Sequence, residues 1–173
     1  MDEGIITSEE LTAAVIHALV RRLGDVGKTK IQKLMYFLQE AYRLPLGCSF
    51  FMHQYGPYSE EVETAIANLR LMGYISVDPD PGGYGFHVSS LSFQEPGWAA
   101  VEANVEAEIS DAIARLGSME AWELELAATI HYFKSMGLDK SQVTSMVAQV
   151  KPRFQADFVD KMFDRLVSVD LIS

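Results

Sequence analysis

The sequence predicts a mainly α fold with one small β-hairpin, organised as a winged helix-turn-helix followed by a helical second half. Three observations carry this reading. Apolar residues recur at helical spacing through three N-terminal segments, each closed by Gly or Pro. Residues 74–77 and 84–89 alternate in polarity across the turn Asp78-Pro-Asp-Pro-Gly-Gly83, as the two strands of a wing do. Beyond Leu91 every local signal is helical. Helix, turn, helix, short strand, Gly-rich turn and strand in that order make a binding scaffold, but a scaffold does not name its ligand.

In the first helix Thr7 or Ser8 is the cap, Glu9 and Glu10 complement the positive end, and Leu11, Val15, Ile16, Leu19 and Leu23 share a face that ends at Gly24. A second helix starts near Gly27 or Thr29, where Thr29 and Gln32 have capping-box spacing. Ile31, Leu34, Met35, Leu38, Ala41 and Tyr42 form its apolar stripe, and Pro45 and Gly47 stop it. The aromatic segment 50–55 is extended, and the rings of 50–58 either line a pocket or, as expected, pack in the core. Gly56-Pro57 punctuates it, and Ser59 caps a third helix with Val62, Ala65, Ile66, Leu69 and Met72 inward and Gly73 at its end.

The second half begins with a single helix from Glu95-Pro96 to Gly117. Its stripe Val101, Val105, Ile109, Ala112 or Ile113, and Leu116 either packs on the first half or forms a homodimer through residues 98–116. Ser118 is expected to cap the next helix, with Trp122, Leu126, Ile130 and Phe133 on one face. Asp139 and Gln142 form a capping box for another, ended by Pro152, and a last amphipathic helix runs from Phe154 to Val167. Leu69-Arg-Leu-Met-Gly-Tyr-Ile-Ser76 is echoed by Leu166-Val-Ser-Val-Asp-Leu-Ile-Ser173, a weak internal repeat that predicts a second, wingless helix-turn-helix unit. The expected organisation is thus a winged domain at 1–91, a connecting helix at 92–117 and a helical subdomain at 118–173.

The 173 residues are 49% hydrophobic and 22% charged, enough to bury a core. No apolar run is long enough to span a bilayer, and the acidic start lacks the pattern of a signal peptide, so the expectation is a cytoplasmic protein without membrane contact. The single cysteine, Cys48, excludes an internal disulfide and a cysteine-based zinc cluster. His17, His53, His87 and His131 sit on four different elements without metal-ligand spacing, and no nucleophile elbow or zincin motif occurs. Gly27-Lys28-Thr29 lacks the upstream glycine of a phosphate loop. The expectation is a protein with neither enzyme activity nor a cofactor or metal.

A net charge of −10 disfavours nucleic-acid binding, which needs Lys and Arg to replace counterions. The one basic patch is Arg21, Arg22, Lys28, Lys30 and Lys33, the candidate phosphate contacts of a DNA-binding regulator. The third helix opens instead with Glu60, Glu61 and Glu63, each opposing a phosphate by something on the order of 1 kcal/mol. Together with Tyr55 and Tyr58 these carboxylates fit a protein partner with a basic surface better.

Lys30-Ile-Gln-Lys-Leu-Met-Tyr-Phe37, then Tyr55-Gly-Pro57, then Lys151-Pro-Arg-Phe154 resemble the Panacea-domain proteins, which include SocA-like antitoxins, and the related YwgA-like bacterial proteins. Met52-His-Gln-Tyr-Gly-Pro-Tyr, where Panacea members read Trp-x-Tyr-Gly-Pro-Val, places the chain nearer the YwgA-like branch. The resemblance implies a bacterial or archaeal, cytosolic, non-enzymatic protein, antitoxin-like in neutralising a toxin by contact. A dimeric DNA-binding transcriptional regulator is the alternative.

Overall fold

A reciprocal pair starts the first helix: Thr7 Oγ1 accepts from the Glu10 amide at 3.1 Å, and the Glu10 carboxylate accepts from the Thr7 amide at 2.9 Å. The computed structural model describes residues 4–91 and 96–173. Helix α1 (Ser8–Leu23) ends at Gly24, and the two-residue strand β1 (Val26–Gly27) leads straight into α2 (Lys28–Glu40). The Thr29–Gln32 capping box does not form. Gly27 is the cap residue, without a side-chain bond, because Gln32 is buried and bonded elsewhere. The amphipathic stripe expected for α2 is likewise too narrow: residues 31–38 are all buried, Gln32 and Lys33 included, so α2 is a central helix covered on every side.

Strands β2 (Phe51–His53) and β3 (Gly56–Tyr58) pair as an antiparallel hairpin, with Met52 opposite Pro57. Ser59 then caps α3 (Glu60–Leu71), accepting from the Val62 amide. Strands β4 (Ile75–Pro79) and β5 (Phe86–Ser90) form the expected hairpin. Beyond it, β1 pairs with β5 at Val26 and Val88, giving a three-stranded antiparallel sheet in the order β1-β5-β4. Two residues are too few for a periodic signal, so β1 has no signature in the sequence.

The single helix expected from Glu95 to Gly117 is two. Residue 95 lies outside the described residues; α4 (Ala99–Asn104) and α5 (Glu106–Leu116) are separated at Val105. The Val105 amide bonds Glu102 O three residues back, a tighter turn than the helix, and Ile109 N then bonds Val105 O to restart it. The bend turns the chain from α1, which α4 covers, onto α2, which α5 covers. Val105, Ile109, Ala112 and Leu116, the stripe weighed for a dimer, are buried within the chain.

Helix α6 (Ala121–Lys134) is capped by Glu120 and not by Ser118, since Met119 is buried and its amide bonds Leu116 O, delaying the start. Leu126, Ile130 and Phe133 point inward as expected, whereas Trp122 is half-exposed and meets Phe158 edge to face. Asp139 and Gln142 form their capping box at α7 (Lys140–Val150), and α8 (Ala156–Ser168) follows. The suspected repeat has a shared geometry. Gly73 and Asp170, equivalent in the two strings, both take positive φ, 80° and 58°. Tyr74 N bonds Leu69 O at 3.0 Å and Leu171 N bonds Leu166 O at 2.9 Å, so α3 and α8 close alike.

Among the described residues there are eight helices and two small antiparallel sheets around one hydrophobic core that draws on both halves of the chain. No helix among them is long and apolar enough to cross a membrane.

Candidate functional site

Two glutamines seven residues apart on α2 hold the backbone of the segment that carries the β2–β3 hairpin. Gln39 donates to Cys48 O at 2.7 Å and accepts from Cys48 N at 2.8 Å. Gln32 donates to Ser59 O at 2.9 Å and accepts from Ser59 N at 3.0 Å. Each amide side chain thus satisfies both polar groups of one backbone residue, at the two ends of the stretch. Between them, Lys33 donates to Pro57 O at 2.6 Å. From the other side Lys151 donates to His53 O at 3.0 Å and to Gln54 O.

Lys151 also lies 3.2 Å from Glu125, which Arg153 pairs as well. Gly56, at φ 87°, sits so close to α6 that a Cβ would stand 3.1 Å from Thr129 Oγ1 and 3.3 Å from the Glu125 carbonyl oxygen. The positive φ and the close approach both require glycine here. The three stretches that carry the resemblance, 30–37, 55–57 and 151–154, therefore meet at one place, as clamp and clamped.

In front of the clamped hairpin is a cleft of about 280 Å³. It is lined by Lys28, Thr29 and Lys33 of α2, by His53, Tyr55, Gly56 and Tyr58 of the hairpin, and by Glu63, Gly85 and Phe86. Tyr58 packs on His53 at 5.2 Å and edge-on to Phe51 at 5.7 Å between centroids, while Lys28 lies 5.1 Å over the Phe86 ring. Lys33 is 2% exposed. Burial is the main cause that lowers its pKa to about 8; Glu125 opposes the shift and Lys151 adds to it.

The five basic residues weighed as phosphate contacts are all engaged inside the chain. Arg21 pairs with Glu102 at 2.7 Å, Arg22 with Glu106 and Ser110, Lys28 with Glu63, and Lys30 with Gly117 O. Lys33 is buried under Pro57 and presents no surface to a phosphate. The patch contiguous in sequence is thus divided between the α4–α5 side, the end of α5 and the cleft.

Of the residues weighed for a protein partner, Tyr55, Glu60 and Glu61 are exposed, Tyr58 is half-buried in the cleft, and Glu63 is held by Lys28. Glu61 accepts from Ser59 Oγ at 2.7 Å, which holds its carboxyl below the usual range. The expectation that the 50–58 aromatics fill the core is met only in part: Phe50 is half-buried against Tyr36, Tyr55 and Tyr58 line the cleft, and Phe51 and Tyr55 stand out from the hairpin. No group of three or more His, Cys, Asp or Glu among the described residues is placed to share a metal ion. His131, buried, bonds the Tyr36 hydroxyl through Nδ1 at 2.8 Å. Cys48 lies under α1 near Thr12, its thiol pushed up by burial.

Glu125 is the residue that reading by motif misses. Its signal is a carboxylate inside the apolar run Leu124-Glu-Leu-Ala-Ala128, where a charge needs a partner. No family model matches the chain. Over 132 residues it is 30% identical to the uncharacterized protein YwgA of Bacillus subtilis (strain 168), an overlap of 74% of this chain and 76% of that protein.

Proposed function

We propose, from the premise that this chain belongs to the YwgA family, that it is a non-enzymatic interaction protein of winged helix-turn-helix type, holding a protein partner against the β2–β3 hairpin and the start of α3. The order α1, α2, α3, then a sheet of β4, β5 and β1, supports the scaffold. One observation carries the function: Phe51 and Tyr55 stand 43% and 48% exposed on a hairpin fixed from behind by Gln32, Lys33 and Lys151. Aromatic side chains on a backbone ordered before the encounter lose little entropy on binding, which suits them as anchors. Beside them the exposed carboxylates of Glu60 and Glu61, in a chain of net charge −10, favour a partner with a basic face.

In the antitoxin-like form of this reading the partner is a toxin encoded next to this chain. Co-expression with the neighbouring small reading frame tests it. A complex is expected at low salt, weakened about tenfold or more by Glu60→Lys with Glu61→Lys and by Phe51→Ala with Tyr55→Ala. Absence of a complex with that product, and of a stoichiometric partner in affinity capture from the source cell, would sink the reading. The DNA-binding alternative would have to free cations that are already paired, so no gel shift is expected at low salt. A salt-dependent shift abolished by Lys28→Glu with Lys30→Glu would put that alternative in its place.

A further inference from the structure

Helix α8 rests on α6 and α7 and turns its remaining face outward. In its first turn Phe158 is 50% exposed and stands edge to face with Trp122 of α6, itself 47% exposed. The two rings make one apolar patch where the starts of two helices meet. A tryptophan left half in water beside a second ring is a favoured anchor where proteins meet.

The charges around the patch narrow the choice of partner. Asp157 and Lys161 flank Phe158 on the same outward arc, one turn apart. Their neighbours are matched within the chain, Asp164 by Lys140 at 2.8 Å and Arg165 by Glu123 at 3.4 Å. Among the described residues Asp157 and Lys161 have no ion pair, not even with each other. With ten more negative than positive charges, two copies of this chain repel across most faces. The outward side of α8 is different, since Asp157 and Asp164 are balanced there by Lys161 and Arg165.

The same strip is complementary to itself. Asp157 and Lys161 are about 6 Å apart along the helix. A twofold axis crossing α8 midway between them, near Val159, sets two copies of the helix antiparallel. It places Asp157 of each copy opposite Lys161 of the other. The two Phe158 rings then lie about 3 Å apart along the helix direction, with Trp122 beside them.

We infer that this face joins two copies of the chain, α8 antiparallel to α8, with Phe158 and Trp122 at the centre and Asp157–Lys161 pairs across the axis. The contact lies on the second half of the chain and does not depend on the partner held at the hairpin.

Sedimentation equilibrium of the full chain should show monomer and dimer only, with a Kd of about 100 µM or tighter. Trp122→Ser with Phe158→Ser, Asp157→Lys alone and Lys161→Glu alone should each weaken the dimer about tenfold or more. All four positions are on the surface, and far-UV circular dichroism of each variant checks that the chain stays folded. An equal mixture of the Asp157→Lys and Lys161→Glu chains should regain the parent affinity to within about threefold, because each reversed charge then meets its opposite across the axis. The proposal is overturned if the parent associates more weakly than about 100 µM, which would leave the face to a different protein. It is overturned equally if the reversals leave the dimer as tight as the parent, or if the mixture associates no better than either variant alone.

Discussion

Lys33 brings an ammonium group into the interior at a measurable cost, and that cost has a pH signature. Its amine donates to Pro57 O, and burial lowers its pKa from 10.5 to about 8. Between those values the unfolded chain holds a proton that the folded chain has released, so stability rises with pH across that window. Below pH 8 the whole penalty is present, about 3 kcal/mol for a shift of this size. Urea unfolding of the parent and of Lys33→Met at several values from pH 7 to 10.5 reads this contribution, because groups away from Lys33 titrate alike in both chains. The parent should gain about 3 kcal/mol relative to the variant between pH 8 and 10.5. A constant difference over that range would mean that Lys33 keeps its proton in the folded protein. The penalty is tolerated because the same amine fixes the hairpin on which Tyr55 and Tyr58 are carried.

At the scale of elements, what the sequence discloses is what is settled within one or two turns. Thr7, Ser59 and Asp139 each cap a helix through a residue three positions on, so all three were legible. Gln32 has the same local spacing from Thr29, yet its partner is Ser59, 27 residues away, and no local pattern announces that. Lys33 misleads for a related reason, since a charge is read as surface unless a distant carbonyl is known to receive it. Of the candidate site, the tyrosines and carboxylates were legible, and so were the three motif stretches. Their convergence through Glu125 was not. The bend at Val105 belongs to the same class, because it depends on which helix lies beneath. Glu102, on α4, is buried and bound to Arg21 of α1, with His17 3.9 Å away. Arg21→Ala removes the guanidinium that offsets this carboxylate and should destabilise the chain by about 2 kcal/mol in urea unfolding. Adding Glu102→Gln should recover more than half of the loss, since a neutral amide leaves no uncompensated charge. If the double variant is no more stable than Arg21→Ala, the pair does not hold α4 in place.

For the whole molecule the decisive fact is the position of α2. It belongs to the first half by sequence, but α5 and α6 of the second half cover it together with α1 and α3. The Tyr36 hydroxyl reaches His131 of α6, the Phe37 ring meets the same imidazole edge-on, and Lys33 feels Glu125. A fragment of residues 1–91 would therefore expose one whole side of its own central helix. Uncovering Tyr36 and Phe37 at about 2 kcal/mol each takes away a large share of the total stability of a domain, about 5–15 kcal/mol. The fragment should accordingly show helix by far-UV circular dichroism but no cooperative thermal transition. In the full chain, by contrast, circular dichroism and the fluorescence of Trp98 and Trp122 should trace a single coincident unfolding curve. A sharp transition in the fragment, or separate curves in the full chain, would make the first half an independent unit. Coincident curves would mean that the hairpin, the cleft and the buried cations behind it persist only while both halves stay docked, so a ligand or partner engaging that hairpin would stabilise the entire chain.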